Sequence, residues 1–168
     1  MVKIEDLKRI TLLKNVPEHL LEVLAQEAQL SIFGKNTELI TLDEEVTTFF
    51  MLIMGQVAIK QALTDKIDVI LDYIQSGASL GSAALISGSK ASYTAICQEP
   101  CEAITLSGNR MRALFETNHE LAYYMMSGVA LQYKQNMDLR AQMILKTLDE
   151  NPDVAEDIED IEKLTLTL

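Results

Sequence analysis

Side chains able to do chemistry are few in this sequence. His19 and His119 are its two imidazoles. Each stands beside a glutamate at the start of a helical segment (Glu18-His19, His119-Glu120), where polar residues are as a rule solvated. Neither belongs to a His-x-His or His-Glu-x-x-His pattern, so no histidine metal centre is expected. Cys97 and Cys101 lie four apart without a second pair, which argues for buried free thiols rather than zinc ligands. There is no Gly-x-Ser-x-Gly elbow and no phosphate loop with its lysine. An enzyme, a metal and a tightly held cofactor are therefore not expected. The nearest thing to a ligand site is the small-residue stretch 76–85, Ser-Gly-Ala-Ser-Leu-Gly-Ser-Ala-Ala-Leu. Small residues at a helix start let backbone amides approach an anion. Taken alone, such a connector is more often simply a turn.

The elements that must position this stretch can be read from periodicity. Ile4, Leu7, Ile10 and Leu13 make a short helical stripe. Asn15-Val16-Pro17-Glu18 reads as a second helix start, with Asn15 as cap and proline inside the first turn, followed by Leu20, Leu21, Leu24, Ala25 and Ala28. From residue 30 to 106 the texture is of strands: 30–33, 39–42, 48–54, 57–63, 67–74, 91–97 and 102–106, with a hairpin turn at Thr64-Asp65-Lys66. Their spacing is that of a small antiparallel sandwich or roll. Ser107 or Asn109 can cap a short helix through Phe115, and Thr117 or Asn118 a long one over about 118–148. At about 1.5 Å per residue that helix would run about 45 Å, beyond the width of so small a domain. It carries two stripes. Leu121, Met125, Gln132, Asn136, Leu139 and Met143 form one, and Ala122, Met126, Val129, Tyr133, Met137, Arg140 and Ile144 the other. One face can cover the roll and the other a second copy, so a homodimer is expected; the alternative is a single-chain helix with a wide apolar face.

Composition sets the outer bounds. The 168 residues are 48% hydrophobic and 23% charged, enough for a core and too apolar for global disorder. Fourteen basic residues face 25 acidic ones, for a net charge of −11. Eight acids against the single Lys163 lie in residues 149–168, so much of the excess is a C-terminal acidic tail. Val154, Ile158, Ile161 and Leu164 recur there at near-helical spacing, as in a docking helix or a solvated tail that binds a protein partner. No basic cluster exists to neutralise phosphates, so nucleic-acid binding is not expected. No uncharged stretch is long and apolar enough to span a bilayer, and no signal peptide is expected. Two cysteines make no secreted disulfide framework, and the expected location is cytoplasmic.

Taken together, these elements resemble the cyclic-nucleotide-binding domain, in the catabolite activator branch and its protein-kinase regulatory relatives. Leu39-Ile40 followed by Asp43-Glu44 resembles the family's strand and Gly-Asp/Glu turn, with Asp43 in the glycine slot. Phe49 through Val57 resembles its Leu-Tyr-x-Ile-x-x-Gly-x-Val strand and turn. Ile70 through Gly77 resembles the strand into the ligand loop, and Leu80-Gly81-Ser82-Ala83-Ala84-Leu85 falls on the phosphate-binding cassette. The resemblance implies an α+β fold: an antiparallel β-roll of the double-stranded β-helix (jelly-roll) type, with N-terminal helices and a long C-terminal helix. It makes residues 1–148 one domain and 149–168 a tail.

It also implies a ligand site at Gly81, Ser82, Ala83, Ala84, Leu85, Lys90, Ala91 and Ser92, with Asn136 and Met137 as base contacts. Here the sequence departs from the family. The cassette glutamate for the ribose is replaced by Ser82. The arginine for the cyclic phosphate, a bidentate contact, is replaced by Ala91, with Lys90 just before it and the hydroxyl of Ser92 after it. The amides of Ser82, Ala83 and Ala84 remain candidate donors, and Asn136 could instead set helix pairing register. No winged helix is expected after the long helix. The sequence thus points to a regulatory module that binds cAMP or cGMP weakly, another small ligand, or none. The alternative is a constitutive dimeric scaffold with a vestigial pocket. A cupin-like metalloenzyme is not supported, because no histidine lies between Leu20 and Asn118.

Overall fold

The computed structural model describes residues 2–64 and 67–153. Eight strands form two four-stranded antiparallel sheets, in the orders β1-β8-β3-β6 and β2-β7-β4-β5. The strands are β1 (Gln29–Phe33), β2 (Glu38–Ile40), β3 (Thr48–Met54), β4 (Gln56–Thr64), β5 (Ile67–Gln75), β6 (Ser79–Leu80), β7 (Thr94–Cys97) and β8 (Cys101–Ser107). The pairs β1–β8, β2–β7, β3–β6 and β4–β5 are nested inside one another, which is a rolled-up hairpin. This is the expected β-roll.

Helices flank it: α1 (Ile4–Lys8), α2 (Glu18–Glu27), α3 (Gly108–Thr117) and α4 (His119–Glu150), with a 3₁₀ turn at Thr11–Leu13 and a short 3₁₀ helix at Ser82–Leu85. The apolar stripes are buried as their spacing requires. Leu7, Ile10, Leu13, Leu20, Leu21 and Leu24 join Phe49, Met51, Leu52, Ile104 and Leu106 in one core. From α4 only Leu121, Met125 and Val129, at i, i+4 and i+8, are buried. The chain divides into two compact units, Met1–Val129 and Ala130–Leu168, so that α4 begins in the first and continues in the second.

Several local expectations are corrected. Helix α2 starts at Glu18, with Pro17 in the cap position rather than the first turn. No side-chain cap bond forms there; the Pro17 carbonyl accepts the amides of Leu20 (3.0 Å) and Leu21 (3.1 Å). Helix α3 begins at Gly108, whose amide donates to the Thr47 carbonyl (2.8 Å), and Ser107 makes no side-chain cap bond. Asn118 is the cap of α4, its Oδ1 accepting the Leu121 amide at 3.0 Å. The strand expected at 91–97 starts only at Thr94, and β6 was not anticipated.

The β4–β5 hairpin forms, while its turn residues Asp65 and Lys66 and the tail stripe Val154, Ile158, Ile161 and Leu164 lie outside the described residues. Among the described residues, no helix is long and apolar enough to cross a membrane.

Candidate ligand cassette

The cassette begins where β6 pairs with β3, Leu80 opposite Phe50 and Ser79 opposite Met51. Gly81 follows in the left-handed region (φ 78°). A Cβ there would lie 2.5 Å from the Thr48 carbonyl oxygen, so only glycine lets the chain pass over β3 at this point. The short helix Ser82–Leu85 turns back from it. Ala84 and Leu85 are buried; Ser82 and Ala83 are half-buried. The Ala84 amide donates to the Gly81 carbonyl (3.0 Å), so it is not the free donor expected.

The far end of the cassette is held by backbone bonds to the loop after β2. The Ala91 amide donates to the Glu44 carbonyl (2.8 Å) and the Asp43 amide to the Ala91 carbonyl (2.9 Å). The Val46 amide donates to the Ser89 carbonyl (3.0 Å), and Glu45 and Lys90 form an isolated antiparallel bridge. Asp43 has φ 64°, a left-handed conformation that aspartate tolerates, which accounts for its place in a glycine slot. Ala91 is 5% exposed, whereas Lys90 and Ser92 are exposed. Asn136 and Met137 belong to the second unit, where Asn136 is half-buried and Met137 exposed.

An open pocket of about 170 Å³ lies along the same loop, lined by Ile40, Thr41, Glu44, Glu45, Thr48 and Phe50 among others. None of its lining residues belongs to the expected cassette set, and its charged groups are carboxylates. Polar loop residues give no periodic signal, and the sequence clue to this loop was the resemblance of Leu39-Ile40 and Asp43-Glu44 to the family's strand and turn. The cassette's other neighbour is Arg112 on α3, whose Nη1 donates to the Ala84 carbonyl (2.5 Å) and whose Nη2 donates to Asn109 Oδ1.

The remaining chemistry-bearing residues lie elsewhere. His19 meets Glu120 at 3.5 Å on the surface. Cys97 and Cys101 are free and buried, and the Cys101 thiol faces the carbonyls of Glu99 (3.3 Å) and Gln56 (3.5 Å). Burial, and next the neighbouring Cys101 thiol, pushes the Cys97 thiol up to about 12, leaving it a neutral thiol at physiological pH and a poor nucleophile. Among the described residues, no three His, Cys, Asp or Glu groups converge as metal ligands.

The family profile of the cyclic nucleotide-binding domain matches residues 31–118, just over half of the chain. The chain belongs to the cyclic nucleotide-binding domain family. No curated protein sequence matches it significantly. Solved structures share its fold. A cyclic nucleotide-binding domain from Methylobacillus flagellatus has TM-score 0.75 at 16% identity, over 86% of this chain and 81% of that one. The c-di-GMP-responsive global regulator CLP of Xanthomonas campestris has TM-score 0.67 at 19% identity, over 88% and 73%. The regulatory domain of Toxoplasma gondii PKA, co-crystallised with cAMP, has TM-score 0.64 at 17% identity, over 80% and 48%. At such identities the likeness is one of fold. Within this cyclic nucleotide-binding domain, the candidate cassette, residues 81–92, lies between β6 and β7, next to β3 on one side and to the 43–46 loop on the other.

Proposed function

We propose that this cyclic nucleotide-binding domain is a non-enzymatic regulatory module that does not hold a cyclic nucleotide tightly. Its output passes through protein contacts. The observation that carries this reading is Ala91. The slot that the family fills with arginine holds a buried methyl group, with both backbone groups bonded to Asp43 and Glu44. The charged groups that line the neighbouring pocket along the 43–46 loop are Glu44 and Glu45, which would repel a cyclic phosphate there, while Lys90 beside Ala91 is exposed. With Ser82 in the glutamate slot, two charge-assisted contacts are missing. At about 1.5–3 kcal/mol each, their loss weakens affinity by about 10²–10⁴-fold.

A thermal-shift titration tests this. A ligand at about 100 times its Kd stabilises by about 2.7 kcal/mol, about 5–10 °C for a chain of this size. Cyclic AMP, cyclic GMP and cyclic dinucleotides at 1 mM are expected to move Tm by less than about 1 °C. A shift of several degrees with any of them makes the protein a nucleotide sensor and ends this reading.

The proposed contact surface is α4. Tyr133, Met137, Arg140 and Ile144 recur at the 4-3-4 spacing of a coiled-coil seam, with Met137 70% exposed. Lys134–Asp138 (2.5 Å) and Lys146–Glu150 (3.6 Å) form ion pairs one helical turn apart along the same helix. A homodimer through this seam is the proposed state, in a reducing compartment that suits two free thiols, the cytoplasm. Sedimentation is expected to give twice the 18.7 kDa chain mass, and Met137→Glu to give the single chain. A monomeric wild type sinks the dimer.

A further inference from the structure

We infer that Arg112 is a positioning residue that holds the cassette in place from within the protein, with no ligand bound. Three observations converge on the short helix Ser82–Leu85. First, the Arg112 guanidinium donates to the carbonyl of Ala84 at 2.5 Å, a charge-assisted bond to the backbone of this turn. Second, the same guanidinium is oriented by Asn109 Oδ1, one turn back on α3, so its fork is fixed before it reaches the cassette. Third, α3 starts in direct contact with the cassette. A Cβ on Gly108 would sit 2.2 Å from the Ala84 oxygen, an approach that only glycine permits.

Ala84 itself is fully buried, and the 43–46 loop ties down Ser89 and Ala91 beyond it. Every tie named here is made by the chain's own groups. A cassette held in this way is ordered before any small molecule arrives. Arg112 also couples it directly to α3, which ends at Thr117, with Asn118 as the cap of α4. Nothing in the chain's residue pattern marks this role, since an arginine on a helix reads as solvated.

Hydrogen-exchange mass spectrometry on the full chain, without nucleotide, tests the inference separately from the nucleotide titration. The reporting amides are those of Ala84 and Ile86, which donate to Gly81 and Ala83. In the wild type they are expected to be protected. In Arg112→Met they are expected to exchange about 10- to 100-fold faster, the equivalent of one charge-assisted bond. Protection on β3 and β8 should stay unchanged, and Arg112→Lys should recover part of the loss. Arg110→Met removes only the surface pair with Glu27 (3.0 Å) and should leave the cassette as it was. If Arg112→Met does not fold, Asn109→Ala, which removes the orienting partner alone, should speed the same two amides. Unprotected amides in the wild type overturn the inference, as does unchanged exchange there in the folded Arg112→Met or Asn109→Ala protein.

Discussion

The double variant Ser82→Glu, Ala91→Arg is expected to bind cAMP about 10²–10⁴-fold more tightly than the wild type in calorimetry. The structure adds a condition to this result. Ala91 is 5% exposed and its backbone is fixed by Asp43 and Glu44, so an arginine introduced there enters a confined space. Without ligand its charge has no designed partner, and a desolvated, unpaired charge is costly. The unliganded double variant should therefore melt below the wild type and recover when cAMP is added. If affinity does not rise while the protein remains folded, the position of Ala91 is not the phosphate position, and the cassette assignment fails.

Gly55→Ala should be among the most damaging small substitutions in the roll. Gly55 joins β3 to β4 at φ 97°, and a Cβ there would lie 2.7 Å from both Cys101 Sγ and the Pro100 carbonyl oxygen. The left-handed backbone costs an L-residue about 1–2 kcal/mol, and overpacking adds about 1–3 kcal/mol. A loss of about 2–5 kcal/mol lowers Tm by roughly 5–15 °C for a chain of this length. Gly88→Ala provides the comparison: φ is also positive there, at 70°, but nothing lies within 4 Å of the added methyl. It should show the backbone cost alone. Equal losses at the two positions would mean that Cys101 is not packed tightly on the β3–β4 turn.

Much of the architecture was legible because burial and periodicity agree. The spacing of Leu20, Leu21 and Leu24, the alternation of short apolar runs, and the overlong segment after Asn118 each correspond to an observed element. Gly55 and Gly81 were legible as the glycines of the resembling family motifs, and both have positive φ. Most of the misses have a common cause: they are features set by tertiary contacts. The two-residue β6 exists only because β3 pairs with it. Ala91 reads as strand, yet its bonds go to the 43–44 turn rather than to a strand. Asn15 is a different, local miss: the helix starts two residues later than a cap at Asn15 requires, with Pro17 in the cap position. At the site, Gly81 through Leu85 could be nominated by their resemblance to the family's cassette pattern. The clamp by Arg112 and the acidic lining of Glu44 and Glu45 could not, because charged residues carry no sequence mark of the direction they face.

The nesting of the strand pairs has a kinetic consequence. Only β4–β5 is a local hairpin; β3–β6, β2–β7 and β1–β8 join segments progressively further apart in the chain. The entropy of closing a loop grows with its length, so an outer pair is cheaper to close once the inner ones have shortened the effective loop. Assembly from the hairpin outward follows, with β1 docking last against β8. A topology so rich in distant pairings belongs with domains that fold in milliseconds to seconds rather than with fast helical bundles. Nascent β8 and β3 therefore spend that interval without their outer partners, and the time the chain spends vulnerable to misassociation is set by the roll itself, whatever the cassette does or does not bind.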